Sequence, residues 1–164
     1  MILRIIAGLL PAGALFLPLG IVNISIILLG NTEMRLDIVE LIRLSGNLGG
    51  DELIARLIQS DLFAKALPWV YTAVAGLAIG ILAILAGIAL SFTKANFASV
   101  FVYAGGLAGA VVMAVGFGGF GSAMESNLLF TVDTTVGAGS YLLMGLFLLG
   151  AGVCLLRHWE IIKS

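Results

Sequence analysis

The amino-acid sequence predicts an all-α integral membrane protein, a tetraspan bundle of four transmembrane helices with a short amphipathic helical hairpin between spans one and two. Three observations predict it. Of 164 residues, 61% are apolar and only 10% charged, against about 45–50% and about 25% in soluble domains. The mean hydropathy is +1.19. The apolar residues gather into four runs long enough to cross lipid, and a spanning helix needs roughly 20 such residues. A soluble enzyme and a disordered tail fall outside this composition. Eight Lys+Arg against nine Asp+Glu leave a net charge of −1, so no basic surface is available for nucleic acid. The single cysteine excludes an intrachain disulfide.

Residues 1–164 read as a single membrane domain with spans at about 5–29, 67–92, 97–124 and 138–156. Open strands cannot cross lipid with unpaired edges, and no stretch alternates as barrel strands do, so helices are expected throughout. The run Ile5–Leu29 contains no charge. Ala12-Gly13-Ala14 resembles the small-residue end of a signal peptide, but the apolar run continues to Leu29, which predicts a retained helix. Pro11 and Pro18 each remove a backbone donor and predict a kink inside it.

Charge placement predicts the orientation. Arg4, Lys94, Arg157 and Lys163 lie on short segments hard against helix ends, with only Glu160 opposing them. The first loop carries Arg35, Arg43, Arg56 and Lys65, but six acids outnumber them. The positive-inside rule therefore predicts that both termini and the Thr93–Asn96 turn are cytoplasmic, and that loops 30–66 and 125–137 are extracytoplasmic.

The insert 31–66 reads as two helices. Glu33, Asp37, Glu40 and Arg43 recur at steps of three or four, with Met34, Ile38, Leu41 and Ile42 on another face. Asn31 or Thr32 is the expected cap and Gly46 the expected stop. After Gly49-Gly50, Asp51 opens a second helix whose apolar stripe is Leu53, Ile54, Leu57, Ile58 and Leu62. Pro68 is then expected to restart the chain as span two. That stripe is too wide to leave in water. The acidic balance also disfavours anionic lipid, so the expected destination is protein, on this bundle or a partner.

No catalytic, cofactor-binding or metal-binding residue is predicted. None of the spans holds a central Asp, Glu, Lys, Arg or His, the residues that mark chemistry inside a membrane. His158 is the sole histidine, beside Trp159 and near Cys154, where an interfacial position is expected. Asn23, the deepest amide, is expected to hydrogen-bond between helices. A reaction at the outer face would need Glu125, Asp133 or the loop carboxylates to converge, and their spacing does not predict that.

Glycine carries the packing signal. Gly76 and Gly80 form a GxxxG pair in span two, and in span three Gly105 and Gly109 repeat the spacing, followed by Ala110, Ala114 and Gly118. Small residues four apart let helix backbones approach when lipid offers no hydrophobic drive, so these five glycines are the predicted helix-packing residues. The run from Gly116 to Gly121 holds four glycines in six positions and predicts close-packed, irregular or mobile backbone. The layout is similar to that of claudin-like tetraspan proteins. Loop 30–66, however, holds no paired cysteines, and the likeness is one of topology with no family assigned.

The function these features predict is that of a non-catalytic structural or accessory subunit of a larger membrane assembly. Membrane lipid and other subunits, or copies of itself, would be its partners. The alternative is a component of a small oligomeric transporter or channel, supported by Pro11, Pro18 and the glycine-rich end of span three.

Overall fold

A computed structural model describes residues 2–26, 30–39, 61–93, 96–124 and 130–159. The elements run α1 (Ile2–Ala14), β1 (Gly20–Ile26), β2 (Gly30–Leu36), α2 (Asp61–Ser91), α3 (Asn96–Met124), β3 (Phe130–Val136) and α4 (Ala138–His158). Three helices are long and apolar enough to cross a membrane: Ala64–Ser91, Phe97–Met124 and Ala138–His158. At about 1.5 Å per residue even the shortest of these reaches about 30 Å, the thickness of the hydrocarbon core. Their apolar surface faces outward, with Leu82 65%, Phe101 64% and Leu148 62% exposed. Water would expel such a surface and lipid accepts it, so the chain is a multi-pass membrane protein.

The first predicted span is not one helix. α1 ends at Ala14, and the chain passes through i→i−3 turns, with Leu15 N–H to Ala12 O at 3.3 Å and Leu17 N–H to Ala14 O at 3.2 Å. Pro18 has no N–H to continue the ladder and disfavours helix at the residue before it. Beyond it lies Ile21-Val22-Asn23-Ile24-Ser25-Ile26, rich in β-branched residues and alternating with period two, and this segment is strand β1. Pro11 lies within α1 and is fully buried.

The insert opens differently as well. Where a capped helix from Asn31 or Thr32 was expected, Gly30–Leu36 forms β2, paired antiparallel with β1 over all seven residues. The charge spacing of Glu33 and Asp37 fits a helix, but Thr32, Met34 and Leu36 also alternate with Glu33 and Arg35, and the cross-strand partner selects the second pattern. The predicted loop 125–137 contains β3, which joins the other edge of β1 and completes a three-stranded sheet of order β2-β1-β3. Strand alternation, read as absent from the sequence, is thus present in three short segments.

α2 runs unbroken through Pro68, which was expected to start it. Leu62, Ala64, Ala66 and Leu67 are strong helix formers, and Ala66 is fully buried, so packing holds the turns before the proline. The hinge between insert helices at Gly49-Gly50 and the stripe residues Leu53, Ile54, Leu57 and Ile58 lie outside the described residues. Leu62 belongs to the first turn of α2.

α3 packs along α2 on one side and α4 on the other, while α1 lies against α2 and α4. The core includes Leu19, Tyr103, Met113, Phe117, Leu143 and Phe147, with Phe147 0% and Leu143 1% exposed.

Candidate functional site

Two constructions dominate the described residues: the junction that fixes the sheet to the helices, and the glycine seams inside the bundle. The junction forms where α1 breaks. A broken helix leaves carbonyls without partners, and burying them unmet costs free energy. Here the beginning of α4 supplies the donors. Gly139 N–H donates to Pro18 O at 2.8 Å, Gly137 N–H to Leu19 O at 2.9 Å, and the buried Ser140 hydroxyl to the same Leu19 carbonyl at 2.6 Å. Leu19 N–H in turn donates to Leu36 O at 2.8 Å, and Ile38 N–H to Leu15 O at 3.2 Å. Segment 15–19 therefore joins α1, the sheet and α4 at one point. Gly137 and Gly139 are required there because a Cβ at Gly139 would lie 2.8 Å from Leu17 O and 3.0 Å from Ala14 O.

Ser140→Ala tests the junction mildly, because Leu19 O keeps its bond from Gly137. The expected loss is about 1 kcal/mol, read as a small fall in melting temperature in detergent.

The sheet is two-faced. Val22, Leu36 and Val132 are buried towards the helices, and a Cβ on Gly20 would lie 2.8 Å from the ring of Phe117. Thr134 donates its hydroxyl to Phe117 O at 2.6 Å, tying β3 to α3. The opposite face carries the exposed Glu33, Arg35, Thr131, Asp133 and Thr135. Arg35 Nε lies 2.7 Å from Glu33 Oε1, an exposed pair of small energetic weight. Asn23 is in the central strand, opposite Glu33 on one side and Asp133 on the other, and not between helices as expected. With strands about 4.8 Å apart, Glu33 and Asp133 are held about two strand spacings apart by backbone pairing. Glu125 lies outside the described residues. Among those described, no group of three His, Cys, Asp or Glu is placed to hold a metal ion.

Of the predicted packing residues, the structure brings Gly76 and Gly109 together. A Cβ on Gly76 would run into Gly109 O and the Met113 backbone, and one on Gly109 would lie 2.8 Å from Gly76 O and 3.0 Å from Gly80 N. Gly80 is buried but has ordinary room, 3.7 Å from Leu143 Cδ2. Gly105 and Gly118 meet nothing within 4 Å. At about 100° per residue, the nine steps from Gly109 to Gly118 turn half-way round the helix, so Gly118 faces outward.

The glycine run at the end of α3 takes the close-packed form of its sequence expectation and not the irregular one, while the contacts of Gly106 and Gly150 were not foreseen. Gly116 sits against Ala73, Gly119 against the Trp69 indole and Gly121 against Thr134, so the glycine-rich end of α3 stays helical and tightly packed. Gly106 receives Phe147, while Gly87 and Gly150 receive Tyr103, whose ring lies 6.4 Å from that of Phe147. The available signal was an aromatic residue on one span for each glycine on another, and spacing alone does not pair them.

At the end of the bundle away from the sheet, Cys154 is buried, and the exposed His158 ring lies 5.3 Å from Phe97. Comparison with family models, curated proteins and solved structures finds no match to this chain. Its chemistry therefore rests on its own residues. What they build is a helix interior in which glycines meet backbone and aromatic rings, and a sheet with one polar face.

Proposed function

We propose that the chain is a non-catalytic structural or accessory subunit of a larger membrane assembly. Its termini would be cytoplasmic, and the sheet with the rest of the insert would lie on the extracytoplasmic side. The observation that carries this reading is the two-faced sheet. Strands from both outer segments are fastened to α3 and α4 through Thr134, Gly139 and Ser140, so its polar face is held in a fixed orientation. A rigid surface loses little entropy on docking, which is what an assembly subunit needs. The partner-facing part of the insert would be the stripe Leu53, Ile54, Leu57, Ile58 and Leu62, and membrane lipid would surround the rest.

The test is purification in mild detergent with mass measurement, together with thiol labelling of Cys154→Ser variants carrying Ser60→Cys or Ser164→Cys. A complex of defined stoichiometry is expected, shrinking when Ile58→Asp is introduced, with Ser60→Cys labelled from outside and Ser164→Cys only after permeabilisation. A monodisperse 17.0 kDa monomer would overturn the assembly reading, and the reversed labelling pattern would overturn the orientation. A complex containing only this chain that passes solutes in liposomes would select the transporter alternative.

A further inference from the structure

The last turn of α4 holds a feature that neither packing nor assembly explains. Arg157 is partly buried there, and its Nε is out of solvent with no hydrogen-bond partner. A guanidinium stays charged at any physiological pH and carries five donors. Leaving a donor of a charged group buried and unmet is costlier than leaving a neutral one. The carboxylates whose side chains are described are all elsewhere, Glu33 and Asp133 on the sheet and Asp37 just after β2, while Glu160 lies outside the described residues. Among the described residues, then, no acid is placed to complete the fork.

The surroundings are those of a membrane border. Trp159 is 69% exposed, Phe92 66% and Phe97 55%. The exposed His158 adjoins Arg157 and is held by its ring contact with Phe97. Aromatic rings gather at the headgroup level, and basic side chains there meet lipid phosphates. We propose that Arg157, with His158 beside it, binds the phosphate of an anionic phospholipid at the end of the bundle away from the sheet. A phosphate offers two oxygens in the plane of the fork, and an anionic lipid brings no headgroup cation to compete for them, as the choline of phosphatidylcholine does. A small rotation of the guanidinium presents Nε and a terminal nitrogen to them together, which satisfies the donor that the protein leaves unmet. The exposed aromatic residues would flank the glycerol and upper acyl chains.

Native mass spectrometry of the full chain in neutral detergent tests this, with equal amounts of phosphatidylglycerol and phosphatidylcholine added. The wild type should retain phosphatidylglycerol about tenfold better, and Arg157→Gln should bring retention down to the phosphatidylcholine level. Arg157→Gln should melt close to the wild type when no anionic lipid is present. If that variant does not fold, Arg157→Lys decides: it keeps the charge but loses the fork, so a reduced preference supports the site and an unchanged one overturns it. Competition by millimolar inorganic phosphate would identify free phosphate as the ligand, and its absence would identify the lipid headgroup. Equal retention of the two lipids by the wild type with no effect of phosphate, or an undiminished preference in Arg157→Gln, would overturn the proposal.

Discussion

Gly139→Leu should separate α4 from the α1 break and unfold the end of the bundle that carries the sheet. The glycine sits in a basket of three carbonyl oxygens, from Ala14, Leu17 and Pro18, all within 3.0 Å of where a Cβ would stand. These are backbone atoms, and those of Ala14 and Pro18 accept hydrogen bonds, so they cannot swing aside as a flexible side chain would. Overpacking of this kind costs about 1–3 kcal/mol, and displacing the Gly137 and Gly139 amides from Leu19 O and Pro18 O adds about 1 kcal/mol for each bond. The sum, about 3–5 kcal/mol, should lower the melting temperature in detergent by about 10 °C. Gly139→Ala should cost less but remain clearly destabilising, because its Cβ already meets the same oxygens. A melting temperature for Gly139→Leu within a degree or two of the wild type would show that α4 does not dock on Pro18 as described.

The second large effect is expected at the crossing of α2 and α3. Gly76→Leu and Gly109→Leu each place a branched side chain where the two backbones touch, and the helices must part along a seam that also includes Ala73 against Gly116 and Trp69 against Gly119. Without a hydrophobic force between helices in lipid, close packing is the main source of association, so forcing the seam apart removes most of it. A loss of about 3 kcal/mol or more is expected for either change. Gly80→Leu should be milder, since Gly80 faces only the end of the Leu143 side chain at 3.7 Å. Gly105→Leu and Gly118→Leu serve as controls and should change the melting temperature little. Thermal unfolding of the five variants in one detergent checks the whole series. If Gly118→Leu proved as damaging as Gly109→Leu, the outward face of α3 would be buried against a second copy or a partner, and the contacts within one chain would not account for the pattern.

This ordering shows how far the glycine pattern could be read. Spacing of four marked Gly76 and Gly109, which meet, but it marked Gly105 and Gly118 equally, and they do not. A ridge at strict four-residue spacing drifts round a helix of 3.6 residues per turn. Which members touch a neighbour therefore depends on where two helices cross. Nothing in the order of residues along span three records the positions of Ala73 or Trp69 on span two. The same holds for Gly106 and Gly150, which are recognisable as packing sites only once Phe147 and Tyr103 are seen lying on them.

The sequence by itself determined the solvent and the broad class. Hydropathy and run length are sums over neighbouring residues, and charge-free runs of this length leave lipid as the medium whatever the tertiary arrangement. For the same reason the helices that include Leu67–Ser91, Phe97–Met124 and Ala138–Leu156 were legible in advance. Residues 20–26, 30–36 and 130–136 were decided otherwise. Ile21–Ile26 is apolar enough to continue a helix, and Glu33 and Asp37 have helical spacing, yet both stretches also alternate with period two. The choice fell to strand because Pro18 ends the ladder and because β1 pairs on both edges, with β2 nearby in sequence and with β3 more than a hundred residues later. A strand has no hydrogen bonds of its own, so its stability depends on its partners, and only the tertiary structure brings those partners together.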